Sequence, residues 1–316
     1  MGEFKHVSVL LYETVGALNV RPDGIYVDGT AGGGGHSYEL ARQLDPQKGR
    51  LYAFDRDPEA IAAAGRRLEG LPATLIHATF DEMKDRLAEL GIDKVDGVML
   101  DLGVSSRQLD EAERGFSYHN DAPLDMRMSG EGRSARDIVN EYSYEQLRTI
   151  LFDYGEEKFA PAIAKAIVAA REQKPIETTL ELAELVKASV PQRVRREKNP
   201  CKKTFQAIRI EVNDELGQLD RAMDTAFDLL KIGGRLAVIT FHSLEDRMVK
   251  RRFAEYTKGC ICPPDFPQCV CGRKPRGEQV FRKPVTASAE ELENNNRSRS
   301  AKLRAIEKLR ENAEDD

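Results

Sequence analysis

The sequence predicts an α/β protein in which a doubly wound parallel sheet is interrupted by an inserted helical domain. Short β-rich runs alternate with helix-prone segments through about the first hundred residues, which implies parallel strands with helices on both faces. The first of these runs ends in a cluster of glycines. More than a hundred residues then separate the fourth run from the next, far beyond the roughly one dozen that an ordinary crossover needs.

Taken in order, Gly24 to Asp28 is the first strand, and Ser37 to Leu44 is the helix after the glycine cluster. Arg50 to Asp55 is the second strand. Asp57 is expected to cap the next helix, Pro58 to Leu68, because proline suits the first helical position. Ala73 to His77 and Val95 to Asp101 are the third and fourth strands. The stretch that follows is helical. Ser143 with Gln146 and Thr178 with Glu181 have capping-box spacing, Gly155 to Arg171 is rich in alanine, and Leu180 to Ser189 is amphipathic. This defines an insertion over residues 107–203 in a domain made of residues 1–106 and 204–316. One long helix, about Thr204 to Lys231, is expected to return the chain to the sheet, where Arg235 to Phe241 is the fifth strand. Ala289 to Glu311 is helix-prone and charged.

The 316 residues include 48 Lys+Arg and 53 Asp+Glu, a formal net charge of −5. Hydrophobic residues at 41% can form a sizeable core, and charged residues at 32% imply a well-solvated surface. No apolar run approaches the ~18 residues of a spanning helix. Met1 to His6 lacks the basic-then-apolar pattern of a secretory signal. A cytoplasmic protein with no membrane partner is expected. Basic residues nevertheless cluster at Arg193, Arg195, Arg196, Lys198, Lys202 and Lys203. They cluster again at Arg247, Lys250, Arg251 and Arg252, and at Arg297, Arg299, Lys302 and Arg304. Any one cluster could be a solvated helix face. Three of them in a mildly acidic chain favour a polyanionic partner, because phosphate binding depends on local charge.

The glycine cluster reads Asp28-Gly29-Thr30-Ala31-Gly32-Gly33-Gly34-Gly35-His36-Ser37. A glycine-rich turn after a first strand lets the backbone approach a ligand at the carboxyl edge of the sheet. The spacing G-x-G-x-x-G of dinucleotide enzymes is absent, since it would require glycine at Ser37 or Tyr38. An acid followed by looser glycines suits S-adenosylmethionine (SAM), and Asp28 with Gly32-x-Gly34 has that form. Asp55 ends the second strand, where an acid can accept from ribose hydroxyls. Asp57 is the better helix cap, which leaves Asp55 free for ribose. Phe80, beyond the third strand, could lie against adenine or in the core.

Asp101-Leu102-Gly103-Val104-Ser105-Ser106 ends the fourth strand, the edge that holds the reacting amine in amino-group methyltransferases. The prolines common there are missing. His242 to Arg247 places polar groups at the same edge after the fifth strand; His242 alone could serve only as a strand-end hydrogen bond. Separately, Cys260-x-Cys262 and Cys269-x-Cys271 place four thiols in twelve residues, bent by Pro263-Pro264 and Pro267. They could close a tetrahedral structural zinc site, or stay as four reduced thiols in a tolerant loop.

Together these segments resemble the ribosomal RNA small-subunit methyltransferase H family. The resemblance runs almost end to end. It includes His6-x-x-Val9-Leu10-Leu11, Asp28-Gly29-Thr30 with Gly34-Gly35-His36-Ser37, Asp55-Arg56-Asp57-Pro58, and Asp101 to Ser106 with Gln108-Leu109-Asp110. It continues through Glu113 to Ser117, Pro123 to Met128, Tyr154 to Glu157, Thr204 to Ala207, Phe241 to Arg247 and Arg297 to Ser300. Asn199, Cys201, Lys203 and Asn296 depart from the usual pattern.

The resemblance implies a Rossmann-like class I SAM-dependent methyltransferase sheet. It implies transfer of methyl from SAM to N4 of a cytosine in the decoding centre of 16S ribosomal RNA, within the small ribosomal subunit. It implies cofactor contacts at Gly34, Gly35, His36, Asp55, Phe80, Asp101 and Gln108. Asp101 and His242 are then the candidates to accept the amine N–H bonds. Arg193, Arg195, Arg196, Lys198, Lys202, Lys203, Arg297 and Arg299 would hold RNA phosphates. The rival readings are a SAM-dependent enzyme acting on another RNA or a protein amine, an NAD-dependent oxidoreductase, and a non-catalytic RNA-binding module. The missing dinucleotide spacing weighs against the oxidoreductase, and the glycine turn with Asp55 against the binding module.

Overall fold

The computed structural model describes residues 8–197, 199–263 and 266–313. His6, Lys198 and Pro264, each singled out in the sequence, lie outside the described residues.

Helix α1 (Leu11–Ala17) precedes strand β1 (Ile25–Asp28). Then follow α2 (Gly35–Ala41), β2 (Arg50–Asp55), α3 (Pro58–Arg67), β3 (Ala73–His77), α4 (Met83–Glu89) and β4 (Val95–Asp101). Helix α3 starts as its sequence dictates: the Asp57 side chain accepts the Glu59 N–H at 3.0 Å, and Pro58 opens the first turn. Next come α5 (Ser106–Asp110), α6 (Ala135–Glu141), α7 (Tyr144–Asp153), α8 (Ala160–Arg171), α9 (Thr179–Ala188), α10 (Gln192–Glu197), α11 (Cys201–Asn213) and α12 (Glu215–Leu229). The chain ends with β5 (Leu230–Thr240), α13 (Ser243–Tyr256), β6 (Gly277–Gln279), α14 (Ala289–Asn294) and β7 (Lys302–Lys308).

The sheet order is β3-β2-β1-β4-β5-β7-β6. Strands β1 to β5 are parallel, while β7 runs antiparallel to both β5 and β6. Side chains alternate across a strand, so the sheet feeds two cores. Val27, Val98, Leu100 and Val238 belong to one, and Tyr26, Met99, Ala237 and Ile239 to the other. No described helix is long and apolar enough to cross a membrane.

The chain forms two compact units: residues 1–103 with 217–316, and Val104–Leu216. The second unit has its own core, with Ile138, Leu147, Leu151, Ile163, Leu182 and Phe205 all buried. The expected capping boxes open its helices. Ser143 Oγ accepts the Gln146 N–H at 3.2 Å on α7, and Thr178 Oγ1 accepts the Glu181 N–H at 3.3 Å on α9.

Four expectations need correction. The helix expected over Thr204 to Lys231 is two helices, because Asp214 adopts a left-handed φ of 48° between α11 and α12. For the same reason the inserted unit ends at Leu216, not at residue 203: the apolar face of α11, with Phe205, Ala207 and Ile208, packs into the insertion's core. The C-terminal segment is not one helix. Residues 302–308 pair with β5 from Thr240↔Lys302 to Arg235↔Glu307, burying Leu303, Ala305 and Ile306. Tertiary pairing overrides the helix propensity of its Lys, Arg and Glu. Strand β5 also starts earlier, at Leu230.

Candidate active site

The strand order reverses between β1 and β4, which pair through Tyr26↔Gly97, Val27↔Val98 and Asp28↔Met99. In open α/β sheets the crevice at the carboxyl ends beside such a reversal is where ligands bind. Strand β1 ends there in Asp28, and β4 in Asp101.

Asp28 is 1% exposed and organises the glycine turn. One oxygen accepts the Thr30 N–H at 3.0 Å and the other the Ser37 hydroxyl at 2.5 Å. Burial still pushes its pKa up to about 6, aided by the Asp55 charge. Gly34, with φ 75°, precedes α2, and a Cβ there would lie 3.2 Å from Ala64 Cα. Gly35 packs against Ser8 too closely for a side chain. Gly33 differs: it is exposed, and a Cβ there would meet nothing within 4 Å. Gly34 is therefore required by its backbone conformation and packing, a side chain at Gly35 would displace the Ser8 hydroxyl, and the open backbone of the turn lies at Gly33.

Asp57 caps α3, but Asp55 is not thereby left free. Its two oxygens accept the Gly32 and Asp57 N–H groups, each at 2.8 Å, tying the glycine turn to the end of β2. A carboxylate has about four lone-pair directions, so roughly two remain. Phe80 opens a single helical turn after β3, half-buried against the core formed with Val27 and Val98.

Asp101 stands at the centre of the edge. Its N–H donates to Thr30 Oγ1 at 2.6 Å. Its Oδ2 lies 3.5 Å from His36 Nδ1, and its Oδ1 is buried with no hydrogen-bond partner among the described residues. Burial, then the charges of Asp28 and Glu245, push the Asp101 carboxyl well above the usual range. His36 is 6% exposed, its Nε2 lies 3.0 Å from the Val9 carbonyl, and burial lowers its pKa to about 4.

His242 caps α13. Glu245 Oε2 accepts the N–H groups of Phe241 at 2.8 Å and His242 at 3.2 Å, while the Glu245 N–H reaches His242 Nδ1 at 3.5 Å. His242 Nε2 lies 3.0 Å from Glu245 Oε1, without hydrogen-bond alignment. The ring thus turns into its own cap, the strand-end hydrogen bond weighed against catalysis above. Glu245, Thr30, Ser37 and the Val9 carbonyl also take part in this arrangement; the sequence placed Thr30 and Ser37 in the glycine turn and Glu245 in the polar run after the fifth strand, but gave them no individual role.

In the second unit, Gln108 is buried in a capping box on α5. Ser105 Oγ accepts its N–H at 3.2 Å, and its Oε1 accepts the Ser105 N–H at 3.0 Å. Arg193, Arg196 and Lys202 are exposed. Arg195 and Lys203 are exposed as well, and the fold holds both. The Arg195 guanidinium donates to the Val190 and Ala188 carbonyls at 3.0 and 3.2 Å, and Lys203 Nζ to the Glu156 carbonyl at 2.5 Å. In the first unit Arg299 is exposed and Arg297 half-buried. Lys302 and Arg304 leave the basic run, because both pair with Asp246, at 3.0 and 2.8 Å. Arg252 likewise pairs with Asp220 and Asp224.

The family model described as the MraW methylase family matches residues 3–309. The chain belongs to the MraW methylase family. A protein named ribosomal RNA small subunit methyltransferase H 2, from Agathobacter rectalis, is 57% identical over 311 residues, covering 97% of this chain and 99% of its own. A ribosomal RNA small subunit methyltransferase H from Symbiobacterium thermophilum is 54% identical over 310 residues, 97% of each chain. Among solved structures, an rRNA methylase from Streptococcus thermophilus aligns with a TM-score of 0.42 and 13% identity over 98% of this chain and 100% of that one.

The sheet is the Rossmann-like one of class I SAM-dependent methyltransferases. The residues of this MraW methylase fit SAM. Asp101 Oδ1 is a buried acceptor that a ligand N–H or O–H would satisfy. Asp28 and Glu245 lie near enough to Asp101 to raise its pKa, and the three carboxylates together favour a cationic ligand. Gly33 leaves the turn open beside them.

Proposed function

We propose that this MraW methylase transfers methyl from SAM to N4 of a cytosine in the decoding centre of 16S ribosomal RNA, acting in the cytoplasm on the small ribosomal subunit. The near-full-length identity to proteins named ribosomal RNA small subunit methyltransferase H supports the RNA. The observation that supports an amine as the acceptor is Asp101 Oδ1, a buried carboxylate oxygen at the carboxyl end of β4 with no hydrogen-bond partner among the described residues.

SAM supplies an electrophilic methyl on a sulfonium. The chain must align the amine and accept its N–H bonds, so that the conjugated nitrogen gains sp³ character. Asp101 accepts one N–H through Oδ1 and takes up the proton that the methylated nitrogen sheds. Thr30 fixes the Asp101 backbone for this. His242 acts as a positioning residue, since its cap holds Glu245, whose charge bears on Asp101. Gly34, Gly35, His36, Asp55, Phe80 and Gln108 hold the cofactor in this reading, and Arg193, Arg196, Lys202, Arg297 and Arg299 hold phosphates. A base in folded RNA must be unstacked to react, at a cost of about a few kcal/mol.

The test is tritiated-methyl transfer to small-subunit particles from cells lacking the enzyme, followed by nucleoside analysis. Label in N4-methylcytidine is expected. Label in another nucleoside or in protein overturns the assignment.

A further inference from the structure

We propose that Cys260, Cys262, Cys269 and Cys271 bind one zinc ion as the structural core of the loop between α13 and β6. Their four Sγ atoms all lie within 4.8 Å of one another. Two of the separations are 3.5 Å, Cys269 to Cys271, and 3.7 Å, Cys271 to Cys260. Sulfurs at about 2.3 Å from a tetrahedral zinc stand roughly 3.8 Å apart, so the cluster has the size of a four-thiolate site. A disulfide needs about 2.05 Å, and all four cysteines are free.

The two C-x-C arms cross-brace one another. The Ile261 N–H from the first arm points to Cys271 Sγ at 3.5 Å, and the Val270 N–H from the second points to Cys262 Sγ at 3.4 Å. The Cys262 N–H points to Cys260 Sγ at 3.4 Å. Backbone donors aimed at sulfur stabilise thiolates, the form a metal binds.

The end of the loop is anchored, with the Lys274 N–H on the Ala313 carbonyl and the Arg276 N–H on the Tyr256 carbonyl, but the cysteine segment lacks apolar packing among the described residues. Its larger apolar side chains point outward: Ile261 is 50% exposed, Phe266 49% and Val270 75%. A segment without an apolar core of its own is where a structural metal supplies folding free energy. The donor set decides the ion. Four thiolates, with no carboxylate among the described residues of the cluster, favour zinc over calcium, magnesium or manganese. A closed four-sulfur shell leaves no position for substrate, and the loop leaves α13 at the end opposite His242, fourteen residues along the helix. The ion is therefore structural. Binding transfers the thiol protons to solvent and forms four Zn–S bonds, with no change of oxidation state.

The full-length protein, purified under reducing conditions without chelator, should contain about one zinc per chain. Cobalt(II) exchanged into it should show thiolate-to-cobalt charge transfer and the intense visible bands of a tetrahedral four-sulfur site. The variant C262S/C269S should lose both. Because that variant could misfold, the parent protein itself supplies a second measurement. Chelation should expose four cysteines to a thiol reagent, and added zinc should protect them again. Protein without zinc, whose four thiols react equally with and without added zinc and which gives no cobalt–thiolate spectrum, overturns the proposal.

Discussion

His36 Nδ1 faces Asp101 Oδ2 at 3.5 Å, while the opposite ring nitrogen lies 3.0 Å from the Val9 carbonyl. A carbonyl only accepts, so Nε2 carries the ring proton. Burial lowers the His36 pKa to about 4, so the ring is neutral near neutral pH and Nδ1 presents a lone pair. A carboxylate facing a lone pair is repelled, whereas a protonated carboxyl can donate to it. The raised Asp101 pKa agrees with that pairing. These carboxyls hold their protons to higher pH than ordinary ones, and a cationic ligand favours their ionised form.

SAM binding should accordingly release protons. Asp28 titrates at about 6, so affinity should fall as pH drops below that value, by up to about tenfold per pH unit for each proton displaced. Titration calorimetry at about pH 6 in buffers of different ionisation enthalpy measures this. Heats that do not depend on the buffer would contradict it.

Asp28 and His36 should affect stability with opposite signs. The folded pKa of Asp28 is raised, so its protonated form favours folding at low pH, and that contribution is lost as pH rises from about 4 to about 6. Relative to the parent, Asp28→Asn should gain stability across that window, by up to about 3 kcal/mol. The folded pKa of His36 is depressed, so the parent loses stability as pH falls from about 6.5 to about 4. His36→Gln removes that loss and should gain on the parent toward acid. Denaturant midpoints across pH check both slopes.

Asp55→Asn should weaken SAM binding by about one to two decades, the loss of a charged acceptor for hydroxyl groups. Asp55→Asn leaves one acceptor oxygen for the Gly32 and Asp57 N–H groups and Asp55→Ala none, so both should cost stability, the second more. Calorimetry beside thermal melting separates the two. Equal SAM affinity in parent and Asp55→Asn would remove Asp55 from the cofactor site.

How much of this was legible in the sequence depended on the range of the interaction. Strands 50–55, 73–77 and 95–101 were readable because each is a continuous β-prone run, and the Asp57-Pro58 start of α3 because a cap is local. Strand β7 was not, because its residues have helical propensity and its pairing partner on β5 lies 62 residues away at Thr240↔Lys302. The candidate site divides the same way. Acids at strand ends can be placed from the sequence, so Asp28, Asp55 and Asp101 were expected at one edge. Which of their lone pairs the protein itself fills could not be, because Gly32, Thr30 and His36 meet them only once the chain has folded. The hold of α9 on Arg195 was missed because an arginine in a basic run gives no sign that nearby carbonyls bind it.

That hold changes which arginines test the RNA-binding segment. Arg195→Ala would remove bonds to the end of α9 as well as a charge, so a loss of RNA affinity would have two explanations. Arg196 and Lys202 belong to the same basic run and are exposed. Arg196→Ala with Lys202→Ala should reduce RNA affinity while leaving SAM affinity unchanged, since arginine offers phosphate a bidentate fork and lysine a point charge. If both side chains touch phosphate, the log–log salt dependence of binding should become shallower by about 1.8 for a duplex or about 1.4 for a single strand, because fewer counterions are released. Two ordinary solvated residues would change neither quantity. RNA binding across a salt series, with SAM affinity measured alongside, separates the cases. Parallel slopes with equal affinity would leave Arg196 and Lys202 outside the RNA interface.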